Sequence, residues 1–374
     1  MPYEDLRTSN RRKNIEEFES RSTCLESLPQ VIFVELTENC NLSCPMCRSS
    51  GPFRRDRNMS DELFTRVAEE LFPTAEIVDL RGWGESTIRR DFPRFVEEAL
   101  DYGCRLRLVT NLTLRNEALW RRLVSAGSLI AVSFDASDAR TFAAVRGGAK
   151  LDVVLRNLEI LADEAERSGV GTELIHLNVV VQSPALGELS GIIETAARLG
   201  LRVQLNPVTL ANDDPQNLAF HKDTLNDELA RAVTMATDAG VEVQLNAVLY
   251  PESGQDAHTN KTCTHPWMYS YVNYRGQVGF CDHLIGAPAE QHLIGDLTTS
   301  SFAEIWNGPT YQRLRFEHAR GRDFLSPWFD ECRWCYFNRY VDFDDVSYPP
   351  YVAHKQILTG GRCVGFTPRE TTGA

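Results

Sequence analysis

From residue 31 to residue 208 the chain alternates short apolar runs with segments of helical periodicity, and no other feature limits its fold as tightly. Residues 31–36, rich in Val, Ile and Phe, read as a buried strand. Residues 60–71 carry a helical pattern, with Ser60 placed as N-cap and Asp61 and Glu62 in the first turn. Strands over 77–80, 105–110, 129–134, 174–181 and 202–208 then alternate with helices over 92–102, 117–126, 151–168 and 186–199. Short connections between six such strands predict a parallel sheet with crossover helices. Six strands are too few to close an eight-stranded barrel.

The rest of the chain departs from this pattern. Residues 1–30 are polar and charged and read as a helical or loose N-terminal extension. Asn212-Asp213-Asp214-Pro215 is turn-rich and marks a boundary after the 31–212 unit. Residues 213–250 then read as a connecting helix (223–239) and strand (241–248). Beyond Pro251, residues 268–274 and 277–281 flank Arg275-Gly276 and predict a β-hairpin. Helical segments follow over 302–306 and 311–319. This second unit, 251–345, is α+β and cysteine-rich, and 346–374 form a C-terminal tail.

At 374 residues with 43% hydrophobic and 24% charged residues, the composition is that of a globular protein with room for two domains. No apolar run approaches a membrane span, and the charged N-terminus has no signal-peptide core, so the cytoplasm is the expected location. A formal net charge of −13 argues against nucleic acid as a partner and is compatible with a cationic substrate such as an amino sugar. Ten cysteines in such a chain read as metal ligands or free thiols rather than disulfides. They form two groups: Cys40, Cys44 and Cys47, then Cys263, Cys281, Cys332 and Cys335, with Cys24, Cys104 and Cys363 apart.

The first group, Cys40-Asn-Leu-Ser-Cys44-Pro-Met-Cys47, directly follows the first strand, where α/β folds place ligand sites. Three thiolates on a four-iron cluster leave one iron open for a ligand. Zinc instead prefers four ligands, and no fourth lies nearby. At the end of the second strand stands Gly82-Trp83-Gly84-Glu85, two glycines that admit a close approach and a carboxylate that can accept from an ammonium group. In the second group, Cys263-x12-Gly276-x4-Cys281 and Cys332-Arg-Trp-Cys335 supply four thiolates, which suit one closed cluster or a tetrahedral zinc.

The C-x3-C-x2-C spacing resembles the signature of the radical S-adenosylmethionine (SAM) enzymes, and 82–85 resembles their SAM-binding turn. The resemblance implies a partial (β/α)6 barrel in which the open iron takes the amino and carboxylate groups of SAM. It also implies SAM contacts from Gly82, Gly84, Glu85, Asn111, Ser133 and Asp135, with Arg146 on the SAM carboxylate and Asn178 on the ribose. The segment Arg140-Thr-Phe-Ala-Ala-Val-Arg146-Gly147-Gly148 and the second cysteine group resemble the SPASM/Twitch branch, as does Glu304-Ile-Trp-Asn307. With no cysteine over 336–347, the one-cluster Twitch version is expected. A structural zinc site is the alternative for that group.

What these parts imply is two 4Fe–4S clusters, one binding SAM and one auxiliary, fed by a donor such as flavodoxin or ferredoxin. The 5′-deoxyadenosyl radical would take a hydrogen atom from an unactivated carbon. The cysteine spacings resemble those of aminoglycoside-pathway dehydrogenases such as 2-deoxy-scyllo-inosamine dehydrogenase. The first expectation is therefore oxidation of a secondary alcohol of an aminocyclitol or amino sugar, a polyhydroxylated small molecule, with the auxiliary cluster accepting an electron. Epimerisation, with Cys363 or Cys104 as hydrogen donor, decarboxylation of a sugar acid, and modification of a ribosomally made peptide are alternatives. The short segment before Val31 is too small for a separate peptide-recognition domain, which weighs against the last. A zinc-stabilised binding module is the non-enzymatic alternative. The sequence singles out no general base, though His176, His265 and His283 are candidates.

Overall fold

A computed structural model describes residues 3–47, 52–250, 261–284 and 292–339, together with the backbone of 356–357. It contains the expected alternation: β1 Val31–Val34, α2 Asp61–Leu71, β2 Ile77–Asp79, α3 Phe92–Asp101, β3 Arg105–Thr110, α4 Glu117–Ser125 and β4 Leu129–Ser133. Preceding them is α1, Glu4–Glu19. There follow α5 Ala139–Val145, α6 Leu151–Ser168, β5 Ile175–Val181, α7 Leu189–Leu199, β6 Arg202–Pro207, α8 Lys222–Ala239 and β7 Val243–Leu245. The second unit holds α9 His265–Met268, β8 Tyr269–Val272, β9 Gln277–Gly279, β10 Leu293–Asp296, α10 Phe302–Trp306, α11 Pro309–Ala319 and α12 Glu331–Asn338. A short strand β11 lies at Gln356–Ile357.

Local chemistry explains several boundaries. The Ser60 hydroxyl accepts from the Leu63 N–H (3.2 Å) and caps α2, which buries Phe64, Val67, Ala68 and Leu71 on one face. α6 ends on Gly169 at φ 69°, a left-handed position that glycine occupies without a Cβ penalty. All four residues of β1 are buried, as for a parallel strand covered on both faces. β5 instead alternates, with Ile175, Leu177, Val179 and Val181 buried and His176 and Asn178 on the opposite face.

Strands β1 to β7 are parallel neighbours in sequence order, so the sheet is an open (β/α) barrel, as expected. The connector expected over 213–250 is a further βα unit instead. α8 packs on α7, and β7 pairs with β6 (Val203↔Val243) as a seventh parallel strand. The turn-rich stretch at 212–215 was therefore no boundary in the sheet. It is only a long connection, whose composition resembles that of a linker.

The C-terminal unit meets both edges of this open sheet. On one side β8 lies parallel to β1 (Val31↔Tyr269), and the expected hairpin β8–β9, extended by β10, is antiparallel. On the other side Ala247, just past β7, bridges Arg339, just past α12, and the Val248 N–H donates to Asn338 O (2.8 Å). The N-terminal extension is pinned rather than loose. The fully buried Asn14 donates to Ser27 Oγ and to Trp267 O, both at 2.8 Å. Asn307 pairs with the backbone of Leu25, and Trp306 donates to Ser27 O (2.8 Å). The Glu304–Asn307 motif thus serves to hold residues 25–27. Among the described residues no helix is long and apolar enough to cross a membrane.

Candidate metal centres at the strand ends

The segment leaving β1 carries Cys40, Cys44 and Cys47, all partly exposed. Asn39 anchors its start: the Asn39 side chain pairs with the Arg54 backbone in both directions (2.8 Å each), and its carbonyl accepts from the Glu85 N–H (2.8 Å). The Leu42 N–H points at Cys40 Sγ (3.4 Å), and Asn111 Nδ2, at the end of β3, approaches the same sulfur at 3.8 Å. Burial pushes the Cys44 thiol up to about 11, with Cys47 and Cys40 adding to the effect and Arg146 opposing it. Burial likewise raises Cys40. Thiols that oppose one another's ionisation beside a fixed cation form a donor set that a metal cluster would relieve.

The turn after β2 presses against this segment. A Cβ on Gly84 would lie 2.5 Å from Thr37 O and 2.7 Å from Glu38 C, and one on Gly82 would lie 2.6 Å from Glu35 Oε1. Both glycines are therefore required by internal packing, whereas the sequence suggested close approach of a ligand. Glu85 is buried, and its carboxylate accepts from Thr87 Oγ1 (2.6 Å), Thr110 Oγ1 (2.8 Å) and the Asn111 N–H (2.6 Å). It braces the β2 and β3 ends against each other.

The remaining strand-end residues converge on the same edge. Ser133 pairs in register with Asn178 across β4 and β5. Asp135 accepts from the Val180 N–H (2.8 Å) and from Arg146 Nη1 (3.2 Å), so Arg146 is anchored where its charge reaches Cys44. Asn178 Oδ1 is filled by Asn206 Nδ2 (2.8 Å) and Gln204 Nε2 (3.2 Å), which leaves its amide N–H groups as the available donors. Sequence reasoning passed over Gly147, at φ 57°, whose missing Cβ would stand 2.5 Å from Ser43 N and 2.6 Å from Cys44 N. Its only local signal was its place after Arg146. Beneath the turn, Glu35 was also missed; it accepts from the Trp83 N–H (2.9 Å).

Burial raises Glu35 to about 7, with the Trp83 N–H opposing. A carboxyl whose folded pKa lies above its unfolded value of 4.5 stabilises the fold below that value and loses this as pH rises through about 7. The loss amounts to about 3 kcal/mol. Glu35→Gln keeps the neutral form at every pH. Its melting temperature is expected to gain on the wild type between pH 5 and pH 8; parallel curves would refute a buried titration at this position.

The second cysteine group also converges. Cys263 precedes α9, Cys281 follows β9, and Cys332 and Cys335 share one face of α12. Gly276 makes the hairpin turn at φ 89°. All four cysteines line one cavity with His265, His283, His318 and Arg339. Burial raises Cys281 and Cys332 well above the usual thiol range, and the neighbouring cysteines push the same way. A cysteine-lined cavity of this kind fits a metal centre.

His265 and His283 belong to this second group and not to the strand-end site: their Nε2 atoms lie 3.6 Å and 3.5 Å from Asp282 Oδ1. His176 stands on β5. Cys104 is a buried thiol raised to about 12 by burial and directed at Phe72 O (3.3 Å), so its surroundings are those of an inert side chain. Cys363 lies outside the described residues.

An open parallel sheet with one thiol set at its strand ends and a second at its seam defines an iron–sulfur α/β enzyme. Residues 34–178 match the model of the radical SAM superfamily, and residues 263–336 match that of an iron–sulfur cluster-binding domain, SPASM. The chain thus carries a radical SAM domain and a SPASM domain, and these domains bring a SAM-binding and an auxiliary 4Fe–4S cluster.

Curated relatives cover most of both lengths. The tungsten-containing aldehyde ferredoxin oxidoreductase cofactor-modifying protein of Pyrococcus furiosus is 23% identical over 84% of this chain and 90% of its own. The mycofactocin maturase MftC of Mycobacterium ulcerans is 28% identical over 80% of each chain. Among solved structures, SuiB of Streptococcus suis bound to S-adenosylmethionine shares the fold at a TM-score of 0.60. The two are 14% identical over 82% of this chain and 72% of that one. SuiB bound to its precursor peptide SuiA also aligns at 0.60, with 13% identity over 81% and 70%.

Proposed function

We propose that this protein oxidises a peptide substrate by radical chemistry, with Cys40, Cys44 and Cys47 holding the SAM-binding cluster and Cys263, Cys281, Cys332 and Cys335 the auxiliary one. The observation that carries the radical reading is the convergence on one sheet edge of the three-cysteine loop, the 82–85 turn and the Asp135–Arg146 pair. When bound, the first cluster and SAM supply a 5′-deoxyadenosyl radical, and the auxiliary cluster supplies one-electron transfer.

The chain's own residues bind and orient. The backbone of the 82–85 turn offers N–H and C=O groups to the methionyl end of SAM, and Arg146, held by Asp135, offers a fork for its carboxylate. The free amide N–H groups of Asn178 can donate to ribose hydroxyls, and Ser133 stands beside them in register. The C-terminal unit meets both edges of the open sheet, through β8 on β1 and through Arg339 at Ala247. An external donor such as a flavodoxin or ferredoxin provides the electron.

The peptide reading is supported by the maturase relative, matched over 80% of both chains, and by the precursor peptide in a structure of the same fold. The aminocyclitol or amino-sugar dehydrogenase expected from cysteine spacing is the competing reading, and it rests on that spacing alone. Anaerobically reconstituted protein, given SAM and a reductant, should release 5′-deoxyadenosine in step with substrate loss for precursor peptides and not for aminocyclitols or amino sugars. Turnover confined to the small molecules would overturn the peptide reading. Zinc without iron or sulfide would overturn the radical one.

A further inference from the structure

The two centres are tied by one partly buried guanidinium. Arg81 directly precedes the 82–85 turn, and its Nη2 donates to Asp282 Oδ2 (2.7 Å), 201 residues away and adjacent to Cys281. Its Nε also lies 3.0 Å from Oδ2 of Asp79, a fully buried carboxylate of β2 that Arg107 pairs from β3. The Phe33 ring of β1 faces the guanidinium carbons of Arg81 at 4.8 Å and of Arg107 at 5.0 Å. Asp79 therefore keeps a cation without Arg81, whereas Asp282 has Arg81 as its hydrogen-bonded guanidinium; Arg107 also feels the Asp282 charge but is paired with Asp79. His265 and His283 also face Asp282, at 3.6 Å and 3.5 Å, and are charged only when protonated.

A carboxylate beside a cysteine that holds a cluster acts on the cluster's electron affinity. In a poorly screened interior a nearby negative charge disfavours adding an electron, and a paired cation cancels it. We propose that Arg81 is a positioning residue for the auxiliary centre: by neutralising Asp282 beside Cys281 it holds that cluster's potential up, from the strand end that also carries the SAM-binding turn. This rests on the reading of Cys263, Cys281, Cys332 and Cys335 as ligands of an auxiliary cluster. It gives the chain a direct electrostatic connection between the turn that holds the oxidant and the centre that receives the electron.

The test is a potentiometric titration followed by electron paramagnetic resonance, on full-length protein carrying both clusters, in wild type, Arg81→Met, Arg81→Lys, Asp282→Asn and the double variant. Arg81→Met uncovers the carboxylate and is expected to move the auxiliary midpoint potential negative. Asp282→Asn leaves the cation and should move it positive. Arg81→Lys and the double variant should return it towards the wild-type value. A purely structural ion pair would change stability or cluster content in the single variants without opposite shifts of potential, and equal potentials across the series would overturn the proposal. Because Asp282→Asn is read independently, poor folding of Arg81→Met does not shield the idea. A wild-type protein with only one cluster signal would overturn the ligand reading itself, and is told apart from failed coupling by its iron and sulfide content.

Discussion

Cys44→Ala is expected to release no 5′-deoxyadenosine above background, a loss of more than about 100-fold, because removing a direct cluster ligand exceeds the cost of changing its outer partners. Burial raises the Cys44 thiol, with Cys47 and Cys40 adding to the effect and Arg146 opposing it, so its thiolate depends on a bound metal. The residue packs in a loop at the strand ends rather than in the apolar core, so far-ultraviolet circular dichroism should stay that of the wild type. Iron content should fall to that of the auxiliary centre alone. Retention of SAM cleavage in this variant would remove the first centre from Cys40, Cys44 and Cys47.

Gly147→Ala should lose the first centre nearly as completely, although no chemistry is removed. The added Cβ would meet the backbone of Ser43 and Cys44, which has no flexible end to swing aside, and would do so at a φ of 57° that disfavours any Cβ. The ligand loop must shift, and cluster loading with it. Gly148→Ala is the matched control. Its φ of 86° carries a similar backbone penalty of about 1 kcal/mol, but nothing lies within 4 Å of the new carbon. Iron content and SAM binding should therefore collapse for position 147 and survive for position 148. Equal behaviour of the two would mean that backbone strain, and not contact with the cysteine loop, is what matters at this turn.

Much of the architecture was legible because it depends on local periodicity. α6 and α10 span the residues expected, and α2 starts where Ser60 can cap it, since an amphipathic stripe and a cap are written within one segment. β7 was misplaced as a connector for the same reason. Three residues of strand carry no mark of the sheet they join, and only pairing with β6 assigns them. The N-terminal extension looked loose because its hold lies in single buried amides such as Asn14, whose partners at Ser27 and Trp267 no pattern in residues 1–30 reveals.

By itself the amino-acid sequence determined the thiol chemistry: which cysteines form each group, that the first follows a strand, and that a glycine-rich turn ends the next one. Spacing suffices within Cys40–Cys47, around the hairpin of Cys263 and Cys281, and within Cys332-x2-Cys335, whereas the fold brings the last two pairs to one cavity. Only the tertiary structure decided what the other residues do. It made Glu85 a brace held by Thr87, Thr110 and Asn111, set Gly82 against the Glu35 side chain and Gly84 against the backbone of residues 37–39, and set Arg81 against Asp282. These roles depend on contacts between strand ends that are neighbours only once the parallel sheet has formed. A charge or a missing Cβ acts over a few ångströms of space, whatever the distance in sequence.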